Sequence, residues 1–452
     1  MPQQAGTKNM TVGSCRKVIT EFAAPLMLSQ LFQQLYNAAD SFIVGRFLGK
    51  EALAGVASSG TLIFLLVSFF SGAALGAGVV VARYFGSGDY DKVSRAIHTN
   101  IALGLVSGAA LTIFGVAMCS TILRWLGTAE SVMPQSTSYL SFYFAGVLAN
   151  VMYNIFNGIL DALGDARHPL YYLIFSSCLN IVLDLLFVGV FGWGVWSAAV
   201  ATVISQLASA LLCLRHLMQK GAVYEVRFRD VRFHSDMLRQ IIKYGLPTGV
   251  QYSVIAFANV LVQANINSFG ADAMAACGSY FKIESFVFVP ITSFSMALTT
   301  FVGQNLGARE YERAREGARF GTFATVGLAE LIGITMFFAA PVLIGLFSSD
   351  PDVIAIGVTQ FRTETLFYCL LAYSHCTAGV CRGAGKAVVP MTVMLAVWCV
   401  FRIAYITVMM HFIHEIQYLF WAYPITWGIS SVIFCIYFYR SNWQHGLDKM
   451  EG

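Results

Sequence analysis

Twelve stretches of about 20 or more mostly apolar residues, each long enough to cross a bilayer, take up nearly the whole chain, with short polar segments between them. They lie at 18–44, 54–82, 97–122, 136–162, 170–191, 196–216, 239–268, 274–302, 317–347, 353–381, 388–411 and 417–439. In hydrocarbon every backbone N–H and C=O must bond inside its own segment, which leaves helix as the conformation open to such stretches. The expected fold class is an all-α polytopic membrane protein with twelve transmembrane helices. Composition agrees, with 57% hydrophobic and 12% charged residues, against about 25% charged in soluble domains. So little charge cannot cover a water-facing surface of this size, which argues against a soluble enzyme, a nucleic-acid-binding protein and a disordered regulator. The net charge of +4 is too small to suggest a polyanionic partner. The ten cysteines contain no CxxC pair, and all but Cys15 fall in apolar runs, so they read as small buried hydrophobes. The polar start, MPQQAGTKNM, lacks a signal peptide's apolar core and cleavage site, and the first apolar segment is expected to be a retained span.

The two halves repeat one another at a single offset of 221 residues. RYFGSGDYDKVSRA (83–96) lies over QNLGAREYERAREG (304–317), GILDALGDARHP (158–169) over GVCRGAGKAVVP (379–390), and FLGKEALA (47–54) over SFGADAMA (268–275). One such match would be chance; three at one offset indicate a duplication. The longest polar stretch, GAVYEVRFRDVRFHSDMLRQ, divides the copies. The expected organisation is an N-terminal six-helix lobe (1–216), a cytoplasmic linker (217–238) and a C-terminal six-helix lobe (239–452). Six spans per copy give both copies the same orientation, and a substrate cavity between two such lobes is the usual transporter arrangement. Most lysines and arginines collect at one set of loop ends, such as 83–95, 215–243 and 309–319, while the opposite ends hold only Arg46, Lys50 and Arg124. The positive-inside rule then puts both termini in the cytoplasm.

Charged groups within spans are costly and mark function by default, at about 2.5–3.5 kcal/mol for an aspartate at mid-helix. Asp40 stands in QQLYNAADSF with Asn37, Tyr36 and Gln33 on its helical face. Asp184 ends LNIVLD, one turn after Asn180. In AAVATVISQ, Ala198, Thr202 and Gln206 form a line of four-residue steps. Counted from the ends of their spans, Asp40, Asp184 and Thr202 lie at one depth, roughly 10 Å below the outer surface at 1.5 Å per residue. Two carboxylates, an amide oxygen, a hydroxyl and a backbone carbonyl suit a hard cation such as Na⁺, and they equally suit proton exchange. The alternative is plain interhelical hydrogen bonding. Pro25, inside the first span, removes a helix hydrogen bond and reads either as a gating hinge or as a static kink.

The second half lacks this pair, since Tyr405 and Phe401 stand where Asp184 and Asn180 would repeat. Tyr252, Asn259 and Gln263 offer a polar face in the seventh span without an acid. Lys282 and Glu284 point to different sides of their helix, so each needs a partner elsewhere, and Glu330 and Arg402 add isolated charges. Arg362 and Glu364 are expected at the outer interface, where solvation explains them. Motifs for other functions are missing. No GxxxxGK[ST] occurs, GAGKAVV (383–389) reads as a turn, HFIHEIQ lacks the second His of HExxH, and neither GxSxG nor a TVGYG-type filter is present. An enzyme is not expected.

QQLYNAADSFIVGRFLGKEALAG, LNIVLDLLF followed by GVWSAAVATVISQ, and the paired GSGDYDK and GAREYER loops resemble the multidrug and toxic compound extrusion (MATE) family, with the closer likeness to its DinF-like prokaryotic branch. The resemblance covers nearly the whole chain, and its prokaryotic side implies an inner (plasma) membrane location. It implies two pseudo-symmetric six-helix bundles forming a V. It also implies secondary antiport, in which cationic or amphipathic drugs, toxins or metabolites leave as Na⁺ or H⁺ enters, with no other cofactor. The family's first-lobe cation site falls on Asp40, Asn180, Asp184, the Ala198 carbonyl and Thr202, and its first-helix proline falls on Pro25. Other branches keep acids in the seventh and tenth helices, and their absence near mid-span here argues against a second-lobe ion site. Gln33, Tyr36, Asn37, Gln206, Tyr252, Asn259 and Gln263 are the expected cavity residues. The expected partners are small cationic or amphipathic substrates and the lipid bilayer, with no nucleic acid, and a monomer is expected. A lipid-linked glycan flippase of the same superfamily would want a more basic cavity, and a membrane receptor or scaffold would show no solute–ion counterflow.

Overall fold

The long apolar runs fold as helices throughout, and no strand occurs among the residues that this computed structural model describes: 8–125, 128–220, 222 and 224–446. The chain ends of the two expected lobes (1–7, 447–452) and linker positions 221 and 223 lie outside that set. The helices are α1 (Cys15–Ser87), α2 (Tyr90–Trp125), α3 (Met133–Ala145), α4 (Val147–Ala162), α5 (Arg167–Asp184), α6 (Trp196–Leu217), α7 (Ser235–Asn267), α8 (Ala271–Gly307), α9 (Tyr311–Gly345), α10 (Pro351–Glu364), α11 (Tyr368–Gly383), α12 (Val388–Met394), α13 (Arg402–Phe412) and α14 (Ile416–Arg440).

Each of the twelve expected spans coincides with helix, although they differ in how well they suit lipid. Nine helices among the described residues are long and apolar enough to cross a membrane, or ten if the α3–α4 pair, bent by 51°, forms one span. The first and tenth expected spans fall short of that measure. The first carries Gln30, Gln33, Gln34, Asn37 and Asp40. The tenth is broken by a 3₁₀ turn at Thr365–Phe367, and Glu330 of α9 accepts the freed Cys369 N–H at 3.2 Å.

The duplication is written into the backbone. Gly49, which divides α1 into two helices, has φ 83° and ψ −175°, and Gly270, its counterpart at the repeat offset, has φ 93° and ψ −175°. Gly164 (φ 81°) and Gly385 (φ 71°) form the second such pair. In the third, Gly88 (φ 74°) corresponds to Arg309 (φ 61°), so an L-residue keeps a left-handed turn inherited from a position where glycine adopts it freely.

The chain packs as two compact units, 1–9 with 28–249, and 10–27 with 250–452. These borders depart from 216 and 239 because packing and not linker composition sets them. The 10–27 segment is held in the second unit by Met10, whose N–H donates to Gln304 Oε1 at 2.9 Å and whose carbonyl accepts from Asn305 and Arg313. In the first unit, Gly72 and Gly76 of α1 let the backbone approach Tyr244 and Thr248 of α7 so closely that a Cβ at either would collide. In the second, Gly379 and Gly383 of α11 do the same against Ser295 and Thr299 of α8. Small residues four apart are the usual means of close helix contact where lipid removes a hydrophobic drive. The first unit's core gathers Tyr139, Leu140, Tyr143, Phe144, Val188, Val195 and Ala198. The second unit's core includes Tyr368, Trp398, Phe420, Trp427 and Phe434.

Candidate functional site

In the first unit, α1, α5 and α6 bring the expected cation residues together. Asp184 and Asn180 are fully buried and Thr202 is 5% exposed, while Asp40 is half-buried. The Asp40 and Asp184 carboxyl groups are neighbours that act on each other electrostatically. With its amide assigned from the network, Asn180 donates to Asp184 Oδ2 at 3.0 Å and accepts from the Thr202 N–H at 3.3 Å. That N–H is the donor a regular helix directs to the carbonyl four residues back, here that of the fully buried Ala198. The Tyr36 hydroxyl stands 3.5 Å from Thr202 Oγ1, and Tyr36 and Tyr139 are near enough to Asp40 to feel its charge. Asp40 Oδ1 and Asp184 Oδ1 are buried and have no hydrogen-bond donor. Two neighbouring carboxylates in a low-dielectric interior repel strongly, so the arrangement calls for a positive charge near them, as a proton or as a metal cation.

Local structure helps to place Asp184. It is the last residue of α5 before a π-helical stretch, Leu185–Val190. Such stretches rotate the following residues relative to an α-helix and cluster at functional positions. A second π stretch, Leu395–Phe401, precedes the buried Arg402 in the other unit. Neither was visible in apolar periodicity, because both runs are apolar all round.

The expected cavity residues divide between the units. In the first, Gln33 and Asn37 are exposed, Tyr36 joins the acidic cluster, and Gln206 sits beside Tyr143 with a buried Oε1 that has no partner. In the second, Asn259 is exposed, Gln263 donates to Asn267 at 2.9 Å, and Tyr252 faces the Arg382 guanidinium at 5.8 Å. Pro25 is buried within α1 among the residues that pack with the second unit.

One expectation is overturned. Glu364 is not at a solvated interface: it is fully buried, and Glu284 is 6% exposed. The Tyr280 hydroxyl lies 3.0 Å from Glu284 Oε1, 3.0 Å from Glu364 Oε2 and 2.9 Å from the Tyr368 hydroxyl. Gln360 donates to Glu364 Oε1 at 2.9 Å. Arg402 is the basic group facing both acids; it donates to Thr426 at 2.8 Å and stacks 4.5 Å from the Tyr423 ring. Tyr280 has one proton to offer and two carboxylate oxygens against it. One glutamate must therefore bring a proton of its own. The second unit thus has an acid pair after all, built from α8 and α10 and not from the helix that mirrors α5. The 3₁₀ break after Glu364 turns that residue inward, which span counting could not show. Arg362, by contrast, is exposed against Phe337, and Lys282 is exposed against Phe347, as interface residues should be.

A helical fold with buried acids in repeated units, and no catalytic motif, defines a polytopic membrane transporter. The comparisons identify which kind. The MatE family model matches twice, at residues 25–186 and 247–408, once per repeat. The probable multidrug resistance protein YoeA of Bacillus subtilis (strain 168) is 25% identical over 449 residues, covering 97% of this chain and 96% of that protein. The probable multidrug resistance protein NorM of Thermotoga maritima is 28% identical over 398 residues, covering 86% and 84%. A crystal structure of a MATE protein in the bent conformation superposes with a TM-score of 0.91 over all of both chains at 22% identity, a likeness of fold. The chain belongs to the MATE family, whose members are transporters and not enzymes.

Proposed function

We propose that this transporter is a secondary antiporter that exports cationic or amphipathic small molecules in exchange for H⁺ or Na⁺, with Asp40 and Asp184 as the exchange point. The observation that carries this reading is the pair of neighbouring carboxyl groups, each with a buried oxygen that has no donor. Asn180 and Thr202 fix the Asp184 side and would complete an oxygen shell for Na⁺ together with the Ala198 carbonyl. A cationic substrate and the coupling ion compete for the same negative charge, so loading the ion removes the attraction that holds the substrate. Exposed amides at Gln33 and Asn37, with the Tyr36 ring, offer a wetted approach to the pair. A bend at Pro25 is the proposed gate. The skew of lysine and arginine supports cytoplasmic termini in an inner membrane.

The deciding experiment reconstitutes the protein in vesicles preloaded with a fluorescent organic cation and imposes Na⁺ and pH gradients separately. Export driven by one gradient and abolished in Asp40→Asn supports the reading and names the ion. Gradient-driven export that persists in Asp40→Asn removes the acid pair from the mechanism.

A further inference from the structure

We propose that Asp165, His168 and His216 form a binding site for a divalent transition-metal ion of the zinc class, apart from the Asp40–Asp184 site. Asp165 lies in the turn between α4 and α5, His168 in the first turn of α5, and His216 in the last turn of α6. One ligand atom from each falls within 4.8 Å of the others. Asp165 Oδ2 lies 2.6 Å from His168 Nδ1 and 3.3 Å from His216 Nε2, the latter a buried nitrogen with no hydrogen-bond partner, and the two rings lie 4.1 Å apart. Two histidines and a carboxylate are a common zinc ligand set, with the fourth position left to water. Metal–ligand bonds of about 2.0–2.1 Å put tetrahedral ligand atoms about 3.4 Å apart. The Asp165–His216 spacing already has about that value, and the His168 Nδ1–Oδ2 contact of 2.6 Å would have to open by about 0.8 Å to match it.

The surroundings are those of a held site. Asp165 and His216 are 0% and 2% exposed at the side chain, so neither is a passing surface group. Asp165 Oδ1 accepts the Arg167 and His168 N–H groups, at 3.2 Å each, which fixes the carboxylate and leaves Oδ2 for the ion. The Gln219 amide stands 3.4 Å from His216 Nδ1. By turning over, that amide can accept an Nδ1–H once Nε2 holds metal, the outer support that ligating histidines usually have. The Tyr224 ring stacks on His216 at 6.3 Å and 18°. Charge also argues for an ion. Asp161, one turn before Asp165 and close enough to repel it, is a second buried carboxyl with a partnerless oxygen. A dication beside two carboxylates and two neutral imidazoles is electrically balanced. The ion would tie the ends of α5 and α6 together, the helices that carry Asp184 and Thr202.

The test uses the full chain in detergent, stripped with a chelator and titrated with Zn²⁺ against a chromophoric competitor, and separately with Co²⁺ followed in the visible. The expected result is one tight Zn²⁺ per chain, at least 100-fold weaker in His216→Ala and in His168→Ala, and unchanged in His411→Ala, an exposed histidine of the other unit. Co²⁺ should give the d–d bands of a four- or five-coordinate N/O site. His168→Ala removes a part-exposed ring and keeps the test valid if the buried variant fails to fold. Zn²⁺ affinity equal in wild type and His168→Ala, no tight Zn²⁺ at all, or a sulfur-to-Co²⁺ charge-transfer band from nearby Cys213 would each overturn the proposal.

Discussion

Asp184, fully buried where α5 gives way to a π-helical stretch, meets the carboxyl group of Asp40 from a helix some 140 residues earlier in the chain. Among the described residues no basic side chain acts on either acid. A neutralising charge supplied from outside the protein is what the proposed exchange requires.

Asp184→Asn and Asp40→Asn should therefore leave folding intact, since both remove repulsion, yet abolish gradient-driven counterflow. Transport and thermal unfolding measured on the same preparations separate the two effects. Loss of transport together with a large loss of stability would mean that the pair is structural.

The proton count at Tyr280 makes a sharper stability prediction. Glu364→Gln supplies the hydrogen that the arrangement requires and should remain within about 1 kcal/mol of wild type, whereas Glu364→Ala leaves a cavity and takes away the acceptor of the buried Gln360 amide, and should cost about 2–4 kcal/mol. Thermal unfolding in detergent distinguishes them. Equal damage from both substitutions would show that both glutamates are ionised and held by Arg402.

Gly88→Ala should destabilise by about 1 kcal/mol, the cost of a Cβ in the left-handed region. No atom stands within 4 Å of the Cβ position, so the loss would be conformational and not a clash. Gly60→Ala, also with open space but in a right-handed helical stretch, is the control and should be neutral or stabilising.

Asp89 precedes α2, accepting the Lys92 N–H at 3.2 Å and pairing with the Lys92 ammonium at 2.9 Å. The hydrogen bond and charge of Lys92 hold its carboxyl below the usual range. A depressed carboxyl stabilises the fold above its unfolded-state value and loses that contribution as pH falls through its folded-state value. The difference in melting temperature between wild type and Asp89→Ala should be full near pH 7 and shrink below about pH 4. A difference that persists unchanged at low pH would assign the effect to something other than the ionised cap.

The sequence by itself determined the all-helical, apolar character of the chain and its duplication, and it pointed to the first acid pair. Span length and apolarity are local properties, and lipid allows them one conformation. The repeat survives as matched glycines whose backbone angles still agree, as Gly49 and Gly270 do. Asp40 and Asp184 were legible because each carries its polar neighbours within one or two helical turns. The tertiary structure decided the rest. Glu284 and Glu364 lie 80 residues apart, and only the 3₁₀ break at Thr365–Phe367 and the rotation of α8 bring them to one tyrosine. Asp165, His168 and His216 likewise meet only because the α4–α5 turn packs under the end of α6. Spacing along a chain fixes which residues share a helix face, but which faces meet depends on how helices are rotated, bent and seated against one another, and that is set by packing across the whole unit.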